Sequence, residues 1–120
     1  DVVRGVDREW VERLYSFAVK PDVTLFFRAP LEVSLGRILD GRPELKYHEA
    51  GLDMGWSADP YESFRIFQGR ILEQYELLAP RYGFTVVDAT REIHDQQAEV
   101  RRILRRNLRL SDFVKKKPRP

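Results

Sequence analysis

Two short runs limit what this chain can fold into. Residues 23–27 read V-T-L-F-F and residues 84–87 read F-T-V-V. Both are continuous rather than alternating, and rich in β-branched and aromatic side chains. That is the pattern of strands covered on both faces, as in a parallel sheet. Parallel neighbours cannot be joined by a hairpin and need a long crossover. The residues between the runs carry helical spacing twice, and one further helical stretch lies outside each run.

The helical stretches have clear punctuation. In residues 7–20, Trp10, Leu14 and Phe17 recur at four and three, with Val11 and Ala18 beside them. Asp7, Glu9 and Glu12 sit early and Lys20 late, matching the helix dipole, and Pro21 ends the run. Residues 31–40 place Leu31, Leu35 and Ile38 on one face, with Gly41 suited to the C-terminus. Asp59 is a capping residue, Pro60 fits the first helical position and Glu62 completes a capping box. That helix is expected to run to about Ala79 on Phe64, Phe67, Ile71, Tyr75 and Leu78, closed by Pro80 and Gly83. A last helix begins near Ile93 and presents Val100, Ile103, Leu104 and Leu108.

The order α-β-α-loop-α-β-α implies an α/β fold with a parallel sheet and right-handed crossovers. Two strands alone make no stable core, so further strands are expected in the sheet. The opening Asp-Val-Val-Arg-Gly has neither cap nor turn and reads as a cut edge. With 120 residues, the chain is one domain or a piece of one.

The absence of cysteine removes disulfides and thiolate metal sites. His48 and His94 are the two histidines, so no histidine-based metal site is expected. No run approaches the roughly 18 apolar residues of a membrane span, and no signal peptide is visible. The expected class is therefore soluble and cytoplasmic. Charge is unevenly spread. Residues 1–100 carry 12 Lys/Arg against 18 Asp/Glu, net −6, while residues 101–120 carry nine against one, net +8. Such a basic end reads as a solvated helix terminus with a frayed tail over residues 111–120, or as a contact for nucleic acid or an acidic partner.

In open α/β sheets ligands bind beyond the carboxyl ends of the strands. Here those ends are Arg28-Ala29-Pro30 and Asp88-Ala89-Thr90-Arg91. The segment after the first carries Arg37, Arg42 and Lys46, then Tyr47, His48 and Glu49 in a polar, glycine-punctuated stretch. Guanidinium forks match phosphate, and in phosphoryl transfer such cations neutralise charge on the moving group. On residue types alone, a solvated helix face and a surface histidine explain the same positions. Asp88 is expected to end the strand and order the next turn.

Residue order and wording go further. R-G-V-D at residues 4–7, P-D-V-T-L-F-F at 21–27 and P-L-E-V-S-L-G-R-I at 30–38 are followed by K-Y-H-E-A-G at 46–51, F-Q-G-R-I-L-E-Q-Y at 67–75 and V-V-D-A-T at 86–90. In this order and spacing the chain resembles the C-terminal half of the thymidylate kinases, over roughly residues 1–104. The resemblance implies a P-loop NTPase-like three-layer α/β/α fold, of which this chain holds the last two strands and the lid. It implies transfer of the ATP γ-phosphate to dTMP with Mg2+, and a homodimer.

Residues 1–110 would be the C-terminal part of the kinase domain, with the lid at about 36–59. By resemblance, Arg37 and Arg42 are the catalytic lid cations. Arg37, Ala89, Thr90 and Arg91 border ATP, and Lys46, Tyr47, His48, Glu49 and Gln68 lie near the nucleoside monophosphate.

Several positions depart from the family pattern. His48 stands where an aromatic ring is usual, and Tyr47 where many relatives carry Arg. Gly36 weakens its helix by about 1 kcal/mol relative to Ala. Residues 52–59 lengthen the lid loop, and Trp56 within it has no evident role. No G-x-x-x-x-G-K-[ST] motif occurs, nor the acidic-arginine pair of the family's third strand. The magnesium ligands and the phosphate-binding loop are therefore expected outside this chain, and the chain by itself is expected to be inactive. Two alternatives remain at this level: a kinase for another nucleoside monophosphate, and a non-catalytic kinase-like interaction module with a basic binding tail.

Overall fold

A computed structural model of the chain describes residues 1–41 and 44–114. The tail residues 115–120 and the candidate Arg42 lie outside the described residues.

The two apolar runs pair as parallel strands. β1 (Leu25–Arg28) lies against β2 (Thr85–Asp88) in the register Leu25↔Thr85 to Arg28↔Asp88. Each strand starts one or two residues later than its apolar run and takes in the charged residue at its end. Registered residues share a face, so Phe26 and Val86 point one way and Phe27 and Val87 the other. Phe26 stacks on Tyr75, ring centroids 5.5 Å apart, and Val87 is almost fully buried. The outcome is α/β with a small parallel sheet, as expected.

Helix α1 (Arg8–Leu14) is shorter than its sequence pattern. Beyond Leu14 the chain continues in tight turns, with Ser16 N–H donating to Arg13 O and Ala18 N–H to Tyr15 O. The reason is visible in the apolar stripe that should hold the helix: Trp10, Leu14 and Phe17 are all exposed. A short helix without a packed face does not propagate.

Helix α2 (Leu31–Gly41) and helix α3 (Pro60–Tyr82) match their sequence patterns more closely. Asp59 caps α3 by accepting from the N–H groups of Tyr61 and Glu62, with Pro60 at the first turn. The return half of the expected capping box is replaced: the Asp59 N–H donates to Ser57 Oγ rather than to Glu62. Pro80 does not end α3. It lies in the last turn, where a proline forfeits one hydrogen bond, and the helix ends at Gly83 in the left-handed conformation. Helix α4 (Ile93–Asn107) buries Ile103 and is the helix packed against β2.

The main apolar cluster lies between α2, the turn at residues 47–51 and α3. Leu35 of α2, Ala50 of the following turn and Phe64 of α3 are buried together, with Leu31, Ile38, Leu45 and Leu52 packed around them. Burial of Phe64 alone contributes roughly 2–3 kcal/mol. The polar, glycine-rich stretch is thus a packed element whose apolar residues face inward. Ser63 secures it from below, its Oγ donating to Ala50 O at 2.6 Å with both residues fully buried.

Candidate functional site

The carboxyl ends of the strands form the first cluster. Parallel pairing brings Arg28 and Asp88 side by side and lets Ala89 N–H donate to Arg28 O at 2.8 Å. Asp88 then orders the turn as expected: its Oδ1 accepts from Thr90 N–H at 2.9 Å and Thr90 Oγ1 at 2.6 Å. The Thr90 hydroxyl is the main reason the Asp88 carboxyl is held below the usual carboxylate range, followed by the Thr90 amide. Arg37, in the last turns of α2, reaches across and donates to Ala89 O at 2.7 Å. Three of the predicted site residues, Arg37, Ala89 and Thr90, are therefore brought together. Arg91 is exposed beside them, 3.9 Å from Asp95.

Gln96 was missed by sequence reasoning. From the first turn of α4 its amide donates to Arg91 O at 2.7 Å and to Ala89 O at 3.3 Å. Its only sequence signal is a long amide side chain in the turn after a strand end.

The second cluster is the turn that follows Lys46. Residues 47–51 turn through Ala50 N–H to Lys46 O and Leu52 N–H to Tyr47 O, and a 3-10 turn (Leu52–Met54) follows. Tyr47 and His48 meet edge to face, ring centroids 5.0 Å apart. His48 Nδ1 is 3.7 Å from Asp53 Oδ1, with the imidazole largely in solvent. Lys46 is exposed and Glu49 half-buried.

Arg4 was quoted as part of a motif and given no role, yet it holds this turn. Its Nε donates to Asp53 Oδ2 at 3.0 Å and its Nη2 to His48 O at 2.8 Å. The Arg4 hydrogen bond is the largest cause of a lowered Asp53 pKa. Trp56 also acquires a role: its ring is 6.0 Å from that of Phe67, and the Arg70 guanidinium lies 4.3 Å above it. It fastens the lengthened loop to α3.

Gln68 stands apart from both clusters. It lines a cleft of about 420 Å³ with Phe26, Ser34, Leu72 and Tyr75. Among the described residues no group of three or more His, Asp or Glu is placed to hold a metal ion, and no helix is long and apolar enough to cross a membrane.

A parallel strand pair with a cationic crossover segment folded back on its carboxyl end is an arrangement of nucleotide-binding α/β proteins. Curated relatives narrow that class. Over 105 residues the chain is 41% identical to probable thymidylate kinase 2 of Saccharolobus solfataricus, an alignment covering 87% of this chain and 49% of that protein. It is 32% identical over 108 residues to the thymidylate kinase of Syntrophus aciditrophicus, covering 85% and 46%. A probable thymidylate kinase of Metallosphaera sedula matches at 30% over 86 residues, covering 72% and 37%. No family-level sequence model matches. The chain belongs to the thymidylate kinase family, and it spans about half the length of the curated relatives it matches.

Proposed function

We propose that the protein carrying this chain is a cytoplasmic, homodimeric thymidylate kinase, which transfers the γ-phosphate of ATP to dTMP to give dTDP. This chain supplies the C-terminal part of a P-loop kinase domain: the lid at residues 36–59, the adenine-side loop, and a basic tail over residues 111–120. The observation that carries this reading is the Arg37–Ala89 hydrogen bond. It supports the reading by setting a lid cation directly beside the strand-end loop assigned to the adenine.

In this role Arg37 and Arg42 neutralise charge that builds on the transferred phosphoryl group. Ala89, Thr90 and Arg91 border the adenine. Lys46, Tyr47, His48, Glu49 and Gln68 line the approach to dTMP. Magnesium, when bound, offsets phosphate charge, and its ligands are assigned to the rest of the protein.

The test is dTDP formation by the intact protein from ATP, Mg2+ and dTMP, against dUMP, dCMP and dGMP as competitors. Preferred phosphorylation of dTMP is expected, and preference for another monophosphate would replace the substrate assignment. A second reading, a non-catalytic module that binds a polyanion, is favoured by the exposed Arg101, Arg105 and Arg106 of α4 and Arg109 just beyond it. Salt-dependent DNA binding without any dTDP formation would select it.

A further inference from the structure

Arg4 makes contacts that a surface arginine does not ordinarily combine. Its Nε and Nη2 form a fork on the Asp53 carboxylate, at 3.0 and 3.4 Å. The same Nη2 donates to the His48 carbonyl at 2.8 Å. The face of the guanidinium lies 4.5 Å from the centroid of the Phe67 ring. One planar group thus spends its edge on the lid turn and its face on α3, a combination that lysine, with a single ammonium, cannot reproduce.

The contacts span the chain. Arg4 lies 44 residues from His48 and 49 from Asp53. It is delivered by a 3-10 turn (Val2–Arg4) that reverses at Gly5, φ 95°, and packs on α3. On the far side of the same turn, Gly51 lies close against Phe67. Phe67 therefore forms the floor, Arg4 one wall, and the residues between His48 and Asp53 the segment they hold.

We infer that Arg4 is a positioning residue for the lid turn: through Asp53 and the His48 carbonyl it fixes where His48 and Glu49 stand, and so tunes capture of the nucleoside monophosphate. The last clause rests on the proposed kinase reading. The geometry of the turn itself does not. Arg4 contacts His48 through its main chain, so removing Arg4 releases the turn without removing a nucleotide-facing side chain.

The test uses the intact protein with Arg4→Gln, Arg4→Lys and Asp53→Asn. Hydrogen exchange at the amides of Ala50, Leu52 and Met54 should speed up at least tenfold in Arg4→Gln, with α4 amides changed less than twofold. Arg4→Lys should fall between. Unchanged exchange at the turn, or a uniform rise along the chain, would overturn the positioning role whether or not the protein is a kinase. In steady-state assays the KM for dTMP should rise at least fivefold with kcat within twofold, and KM for ATP should stay put. An unchanged dTMP KM beside raised local exchange would overturn the link to monophosphate capture. A wild-type protein that phosphorylates none of the monophosphates tested refutes the kinase reading instead, and the exchange result then decides the role of Arg4.

Discussion

The Arg37 guanidinium and the Ala89 carbonyl meet at 2.7 Å across 52 residues of sequence. Ala89 O also accepts from Gln96, Ala89 N–H is held by Arg28, and Thr90 N–H by Asp88. Every backbone polar group of the strand-end turn from Ala89 N–H to Thr90 N–H is therefore engaged, and α2 is fastened to it by one charge-assisted bond.

That bond gives the first prediction. On the proposed kinase reading, Arg37→Ala in the intact protein is expected to lower kcat roughly a hundredfold to a thousandfold, the scale for removing one donor from a developing anion. KM for dTMP should change less than threefold. Steady-state kinetics with each substrate varied would check it, and wild-type turnover would remove Arg37 from the reaction.

Acid should loosen both clusters together. Asp53 and Asp88 have folded-state pKa values below the ordinary carboxylate value, the first chiefly through Arg4 and the second chiefly through Thr90. Their stabilisation is complete above the unfolded value of about 4 and is lost as pH falls through the folded values. Urea midpoints should be flat from pH 8 to 5 and decline below about pH 4. Asp88→Asn should decline less steeply there, and an identical slope would show that Asp88 does not report on folding.

Gly51 and Gly55 allow a paired comparison. Both have φ 68°, but a Cβ at Gly51 would lie 3.1 Å from Phe67 while one at Gly55 meets open space. Each change to alanine should cost about 1 kcal/mol for the backbone. Gly51→Ala should cost at least about 1 kcal/mol more through overpacking. Equal urea midpoints for the two variants would mean the turn at Gly51 gives way without resistance.

Ser63→Ala leaves the buried Ala50 carbonyl without its 2.6 Å donor. The expected loss is about 1–3 kcal/mol of unfolding free energy. Ser63→Thr, which keeps the hydroxyl, adds a methyl to a fully buried site and should also destabilise. The alanine variant should regain backbone exchange at Ala50 first, and unaltered stability in it would mean water replaces the hydroxyl.

Sequence showed the elements better than their contacts. The parallel strands were legible because their apolar runs are unbroken, and the α3 start because Asp59 and Pro60 each have one favoured position. The length of α1 was not legible, since its apolar spacing is helical while the residues of that stripe, Trp10, Leu14 and Phe17, stay exposed. Pro80 misled because a proline forfeits one hydrogen bond to the preceding turn without forbidding helical geometry after it, and α3 runs on to Tyr82. Arg37, Ala89 and Thr90 were singled out by the strand-end position and the family resemblance, but the bond from Arg37 to Ala89 depends on how α2 approaches β2. Arg4, Gln96 and Trp56 were missed as functional groups because their partners lie far away in sequence or on another element.

Leu25 and Thr85 are neighbours in the sheet and sixty positions apart in the chain. Helix α2, the 47–51 turn and helix α3 all lie inside that interval, so this crossover has the same strand pair at both of its roots. It leaves the sheet after Arg28 and returns through Gly83, and Tyr75 of α3 stacks on Phe26 of β1 between those points. The crossover is therefore a closed ring of structure rather than an arm, fastened at both ends and once along its length.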